Sequence, residues 1–120
     1  MLLPLTDSAL QLERRLKQAD LEPPLDSDLD PQDLAALREH GRAVRVGKQL
    51  HYHPEALQNV RQRVLAIAER NAGAVTLSQL RDELGTSRKF AQALLEHFDA
   101  EKLTIRRGDA HHVRASARSR

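Results

Sequence analysis

Residues 76–114 read TLSQLRDELGTSRKFAQALLEHFDAEKLTIRRGDAHHVR, and this run decides the fold. Thr76 with Gln79 three residues on is the pattern of a capping box, in which each side chain satisfies a free amide of the other, so a helix is predicted to begin there. Leu77, Leu80 and Leu84 recur on one helical face, and Gly85, free of a Cβ, can end the helix in the left-handed conformation. Thr86 or Ser87 can cap a second helix whose buried stripe would be Phe90, Ala91, Leu94, Leu95 and Phe98. After Asp99 the helical period gives way to alternation. Leu103 and Ile105 alternate with Thr104 and Arg106, Gly108-Asp109 suits a two-residue turn, and Val113 gives the return strand an inward residue. Helix, turn, helix, hairpin is the order of a winged helix, whose second helix and wing are the usual contacts to nucleic acid.

Working outward, the amino-terminal side repeats the pattern faintly. Thr6, Asp7 or Ser8 can cap a first helix to about Ala19, with Leu12, Leu16 and Ala19 inward. Leu21 to Asp30, with Pro23-Pro24 and four acidic residues, reads as a connection. Asp30-Pro31 is a strong helix start, and the helix carries Leu34 and Leu37 before Gly41. A hairpin is expected from Ala43 to Val46 and Leu50 to His53, turning at Gly47-Lys48-Gln49. Pro54 opens another helix with Leu57, Val60, Val64, Ile67 and Ala68 on one face, closed by Asn71 and Gly73. Val44-Arg45-Val46-Gly47-Lys48 lines up with Ile105-Arg106-Arg107-Gly108-Asp109 at an offset of 61 residues, from Gly47 to Gly108, which sets Leu34 over Leu95 and Leu37 over Phe98. The expectation is a mainly α chain with small β-hairpins (α+β), built as two tandem winged helices, 1–53 and 54–115, with almost no linker and a disordered basic tail, 116–120.

Composition limits what such a chain can do. The 120 residues include no Cys, which excludes disulfides and thiolate metal sites, and aromatics are only 2%, so the core must be aliphatic. No apolar run approaches a membrane span and the first residues lack the basic start of a secretion signal, so a cytoplasmic, soluble chain is expected. The net charge of +2 conceals an asymmetry. Lys and Arg number 4 against 9 Asp and Glu in residues 1–40, 6 against 2 in 41–75, and 9 against 6 in 76–120. A polyanion would be repelled by the first third and attracted by the rest.

The candidate site follows from that balance. Thr86-Ser87-Arg88-Lys89 places two hydroxyls and two cations at a helix start, whose free N–H groups and positive dipole end suit phosphate. Arg106, Arg107, Gly108, His112 and Arg114 lie on the wing that follows, and Arg81 on the preceding helix can reach the same backbone. With no aromatic among these cations, a stacking platform for single strands is not expected. The first module, with Asp33 and Glu39 on its second helix, reads as scaffold, its Arg42, Arg45 and Lys48 wing a secondary contact at most. The six histidines lack Cys or a carboxylate pair beside them, so no metal or other cofactor is predicted. No phosphate loop, nucleophile elbow or apolar carboxylate pair is present, and no enzyme activity is expected.

Three runs then take on a further meaning. Gly85-Thr86-Ser87-Arg88-Lys89-Phe90, Leu94-Leu95-Glu96-His97-Phe98-Asp99 and Thr104-Ile105-Arg106-Arg107-Gly108-Asp109 resemble the last winged helix of the bacterial selenocysteine-specific translation elongation factors, and Gly41 to Leu57 is similar to the module before it. The chain departs from that pattern in having Phe90 where Tyr is expected, Ala93 where Pro is common, and Glu101-Lys102 in place of a Gly-containing turn. The resemblance implies a fragment of a GTPase that carries selenocysteinyl-tRNA, the GTPase part lying outside this chain. It implies an mRNA stem-loop next to a recoded UGA codon as partner, with the ribosome as the wider setting. By position it assigns the hairpin site to Thr86, Ser87, Arg88, Lys89, Arg106, Arg107 and the wing after Gly108. The residues alone leave open a DNA-binding regulator, which would need a dimer although no long dimerising helix is evident and a monomer is expected, or a protein-binding winged helix.

Overall fold

The computed structural model describes residues 2–115; the disorder expected for 116–120 lies outside the described residues. The backbone contacts divide the chain into two units, with the boundary between Gln58 and Asn59, inside a helix.

In the first unit, α1 (Asp7–Ala19) starts where the Thr6 hydroxyl accepts the Ala9 amide, and α2 (Pro31–Glu39) starts where Asp30 accepts the Gln32 amide with Pro31 in the first turn. These are the predicted caps, and each satisfies an amide that helix geometry leaves free. Between them Asp26–Asp28 form a single 3₁₀ turn. Leu12 and Leu16 of α1 meet Leu34 and Leu37 of α2 in a core completed by Ala9, Leu29 and Ala43, with Leu5 packed against it. Strands β1 (Val44–Val46) and β2 (Leu50–Tyr52) pair antiparallel, Arg45 opposite His51. All of β2 is buried, so its polar groups need partners: the Tyr52 hydroxyl donates to the Leu21 carbonyl at 2.9 Å, and burial, then the carboxylates of Glu22 and Asp20, raises that phenol well above its ordinary pKa.

The helix α3 (Pro54–Arg70) crosses the boundary, with its predicted apolar face, Leu57, Val60, Val64, Ile67 and Ala68, all buried. In the second unit α4 (Leu77–Leu84) opens on the predicted capping box, both bonds formed: the Thr76 hydroxyl accepts the Gln79 amide at 3.2 Å and the Gln79 side chain accepts the Thr76 amide at 2.9 Å. Gly85 ends it at φ +64°. Then come α5 (Arg88–Ala100), β4 (Thr104–Arg107) and β5 (Ala110–Val113), turning at Gly108-Asp109. A strand absent from the sequence reading, β3 (Ala74–Thr76), pairs with β5, so the wing is a three-stranded sheet in the order β3-β5-β4. The two hairpins belong to separate sheets.

One expectation is corrected. Strict alternation from Leu103 puts Ile105 on the inward face with it, yet Ile105 is 40% exposed while Thr104 is 1% exposed. The strand begins one residue later than the alternation suggested, and Thr104 turns inward because its hydroxyl donates to Asp99 at 2.6 Å. Leu103, still buried, belongs to the helix end, where its amide bonds to the Phe98 carbonyl.

Candidate nucleic-acid interface

The exposed start of α5 is set by its neighbour. The Gly85 amide reaches the Asp82 carbonyl and the Thr86 amide the Arg81 carbonyl, which closes α4 and turns the chain at once into the next helix. Ser87 occupies the capping position in extended backbone, but its side chain makes no capping bond. Arg88 and Lys89 follow, both exposed. The Lys89 ammonium lies 5.4 Å from the centre of the Phe90 ring, a contact that holds a flexible side chain near the helix start. Arg88 has no ion pair or hydrogen bond among the described residues.

Opposite Arg88 stands Arg106 of β4, whose Nε–H donates to the Gly108 carbonyl at 3.1 Å and so braces the turn. A cleft of about 440 Å³ lies between α5 and this face of the wing, lined by Arg88, Gln92 and Glu96 on one side and by Arg106, Asp109 and His111 on the other. One guanidinium and one carboxylate on each side, with the Gln92 amide and the His111 ring, form a mixed surface. Such a surface can hold a phosphate and also offer acceptors and donors to a base edge.

Behind it is a polar trio in which Thr104 and His111 are buried and Asp99 is half-buried. Asp99, near the end of α5, accepts the Thr104 hydroxyl and the Nδ1–H of His111, the latter at 2.9 and 3.0 Å to its two oxygens. A carboxylate only accepts, so the His111 proton sits on Nδ1 and its other ring edge is left toward the cleft. These bonds tie one helix to both strands of the hairpin, the edge strand β4 and the central strand β5, and a satisfied part-buried network of this kind fixes the angle at which the wing stands.

The wing itself divides the predicted residues. Arg106 pairs with His111 and Arg107 with Ala110, and successive residues of a strand point to opposite faces. Arg107 therefore turns away from Arg88. With His112, Arg114 and Ile105 it lines a second cleft, of about 370 Å³, floored by Ala72 and Gly73. Arg81 is engaged by Asp82 at 3.3 Å and lines neither cleft. The structure thus gathers Arg88 and Arg106 at one groove, with Ser87 and Lys89 at the adjoining helix start and Gly108 at the wing tip, and sends Arg107, His112 and Arg114 to the reverse. Gln92, Glu96, Asp109 and His111 were not singled out from sequence. Gln92 and Glu96 could have been, since they follow Arg88 at successive helical turns.

In the first unit the corresponding histidines are fixed by carboxylates. His51 Nδ1–H donates to Asp26 at 2.8 Å, and its Nε2 accepts from Arg38, which can only donate. His53 is linked to Glu13 at 3.1 Å, and Arg42 joins the same carboxylate at 2.9 Å. Burial raises the Glu13 pKa, but the hydrogen bonds and charges of His53 and Arg42 outweigh it and hold the group below its ordinary value. Among the described residues no group of three His, Cys, Asp or Glu could hold a metal ion.

The family model described as "Elongation factor SelB, winged helix" matches residues 66–113. The selenocysteine-specific elongation factor of Desulfomicrobium baculatum is 31% identical in an alignment over 86% of the chain, which spans only 18% of that relative's length. Residues 66–113 carry a SelB winged helix. Two solved structures share the fold over 91% of the chain. One is the mRNA-binding domain of elongation factor SelB from E. coli in complex with SECIS RNA, at 23% identity and TM-score 0.70, with 98% of that chain covered. The other is a bacterial selenocysteine-specific elongation factor, EF-Sec, at 20% identity and TM-score 0.73, with 18% of that chain covered. The part matched to the SelB family contains all of β3, α4, α5 and the wing, and with them every residue lining the first cleft.

Proposed function

We propose that this chain is the RNA-holding part of a selenocysteine-specific elongation factor and binds the mRNA stem-loop that marks a UGA codon for recoding. The observation that carries the reading is the groove between α5 and the wing, where Arg88, without an ion pair among the described residues, stands across from Arg106 in a mixed polar wall, inside the segment matched to the SelB family. An A-form helix hides its base edges in a deep, narrow groove, so α5 cannot read a stem as it would read DNA. Arg88, Lys89 and Arg106 hold the backbone at the top of the stem, with Thr86, Ser87 and Gly108 beside them, and Glu96, Asp109 and Gln92 offer partners to a base splayed from the loop. The first unit, which repeats the helix-and-hairpin order, is a second winged helix that acts as scaffold. The chain works as a monomeric binding module in the cytoplasm with the ribosome as its setting, and any catalysis belongs to other parts of the factor. Among the described residues no helix is long and apolar enough to cross a membrane.

Affinity for SECIS-type RNA, and for a pool of stem-loops with randomised loops, should exceed affinity for duplex DNA of equal length at the same salt concentration. Equal affinity for the DNA would favour the transcriptional regulator instead.

A further inference from the structure

We propose that the reverse face of the wing is a second RNA site, separate from the stem-loop groove, that takes the backbone of an RNA duplex without regard to sequence. Strand register carries the argument. Adjacent residues Arg106 and Arg107 point to opposite faces, so the wing presents a cation on each side. On the reverse face Arg107 and Arg114 lie at the two ends of the β4–β5 ladder. Arg107 pairs with Ala110, and Arg114 stands four residues beyond Ala110, about 13 Å along the strand. Neither side chain has an ion pair or hydrogen bond among the described residues. Between them sit Ile105, 40% exposed, and its cross-strand partner His112.

The two clefts differ in chemistry. The groove facing α5 contains Glu96 and Asp109, which would repel a phosphate brought too close and which suit a base edge. No carboxylate lines the reverse cleft among the described residues. Cations with no opposing charge favour a polyanion, and with no Phe, Tyr or Trp among the described lining residues there is no broad platform for stacked bases, so recognition there rests on phosphate and ribose. Ile105 offers an apolar contact to a ribose, and His112 a hydrogen-bonding group to its 2′-hydroxyl, the group that separates RNA from DNA. The proposal goes beyond the stem-loop reading and does not depend on it.

The test uses the whole chain and two probes: a loop-free RNA duplex of arbitrary sequence, about 16 base pairs long, and the tightest stem-loop from the randomised pool. For Arg107→Ala with Arg114→Ala, duplex affinity should fall at least tenfold and its salt slope by about two, with stem-loop affinity held within twofold. Arg88→Ala with Arg106→Ala should do the reverse. Protein carrying one equivalent of stem-loop should still take up duplex. If the Arg107 and Arg114 variant binds duplex as the parent does, or if a single equivalent of stem-loop abolishes duplex binding by the parent, the reverse face is not a second site. If no stem-loop binds the parent but duplex binding still requires Arg107 and Arg114, the stem-loop reading fails and the reverse site stands. Ile105→Glu is an independent check on the same surface, and it too should weaken duplex alone.

Discussion

The two units close their second helices in the same way and open them differently. At the closing end, amide bonds recur at the offset of 61. His40 bonds to Ala36 as Glu101 does to His97, Gly41 to Arg38 as Lys102 to Asp99, and Arg42 to Leu37 as Leu103 to Phe98. At the opening end the correspondence stops. Ser87, Arg88 and Lys89 align with Asp26, Ser27 and Asp28, which form a 3₁₀ turn, and α2 starts only at Pro31. One unit therefore lacks the first turn of its second helix and has Ser27-Asp28 where the other has Arg88-Lys89. Packing has kept the half of the motif that fixes the hairpin on the helix, while the half that faces a partner has diverged. The acidic turn is also in use, since Asp26 holds His51.

This comparison breaks first at the basic helix start. Removing Arg88 and Lys89 together should weaken stem-loop binding by one to two orders of magnitude, at about 1 kcal/mol or more for each charge-assisted contact, and lower the salt slope by about two. The reciprocal graft, Ser27→Arg with Asp28→Lys, should create no site, because the helix does not begin there and Asp26 remains. Anisotropy titrations over a salt series check both. Binding that survives loss of Arg88 and Lys89 with its slope intact would make the helix start a mere cap.

Next in size is the trio of Asp99, Thr104 and His111. Asp99→Ala strands the Thr104 hydroxyl and the His111 Nδ1–H, both buried, and should cost about 2–4 kcal/mol of unfolding free energy. Arg38, its counterpart in the repeat, donates one bond to a histidine that Asp26 also holds, so Arg38→Ala should cost only about 1 kcal/mol. Urea denaturation of the two variants compares them. Equal losses would mean that the units stabilise their wings by the same means after all.

Glu13 gives the first unit an acid sensitivity that the comparison predicts for it alone. Its pKa is depressed in the folded chain, so its contribution is fully present above the unfolded value and is lost as pH falls through the lower, folded value. Glu13→Gln keeps one acceptor, should cost about 1 kcal/mol at neutral pH, and should flatten the decline in stability below about pH 4.5. Thermal melting between neutral and acid pH tests this. An unchanged acid limb would show that His53 and Arg42 do not hold the carboxylate.

How much of this was legible follows from where the information lies. Thr76 with Gln79, Asp30-Pro31, Gly85 and Gly108-Asp109 are local signals with local causes, and each element they predict is present. Strand β3 had no such signal. Ala74-Val75-Thr76 offers one buried residue between a turn and a cap, and becomes a strand because β5 has an edge to pair with. The cations were readable as a set, but their division between two faces needed the phase of β4. That phase is set by the bond from Thr104 to Asp99, which spans a helix end and a turn. With Ile105 placed inward by strict alternation, Arg106 and Arg107 could not be sorted.

The smallest effect concerns the one place where the closing ends differ. Gly41 and Lys102 occupy equivalent positions at φ +70° and +66°, a left-handed conformation that glycine adopts freely and that costs a residue with a Cβ about 1 kcal/mol. Nothing lies within 4 Å of a Cβ built at Gly41, so the penalty there is conformational and not a clash. Lys102 is exposed and makes its capping bond to Asp99 through the backbone, which glycine would keep. Lys102→Gly should therefore stabilise the chain by up to about 1 kcal/mol, less whatever glycine's greater freedom in the unfolded chain takes back. Gly41→Lys should destabilise it by a similar amount. Stem-loop affinity should stay unchanged in both, since neither position lines a cleft. Chemical denaturation with a common slope measures the pair. A loss of stability in Lys102→Gly would mean that the Lys102 side chain contributes more than its backbone strain costs, and that the two helix ends are alike in their hydrogen bonds but not in their energetics.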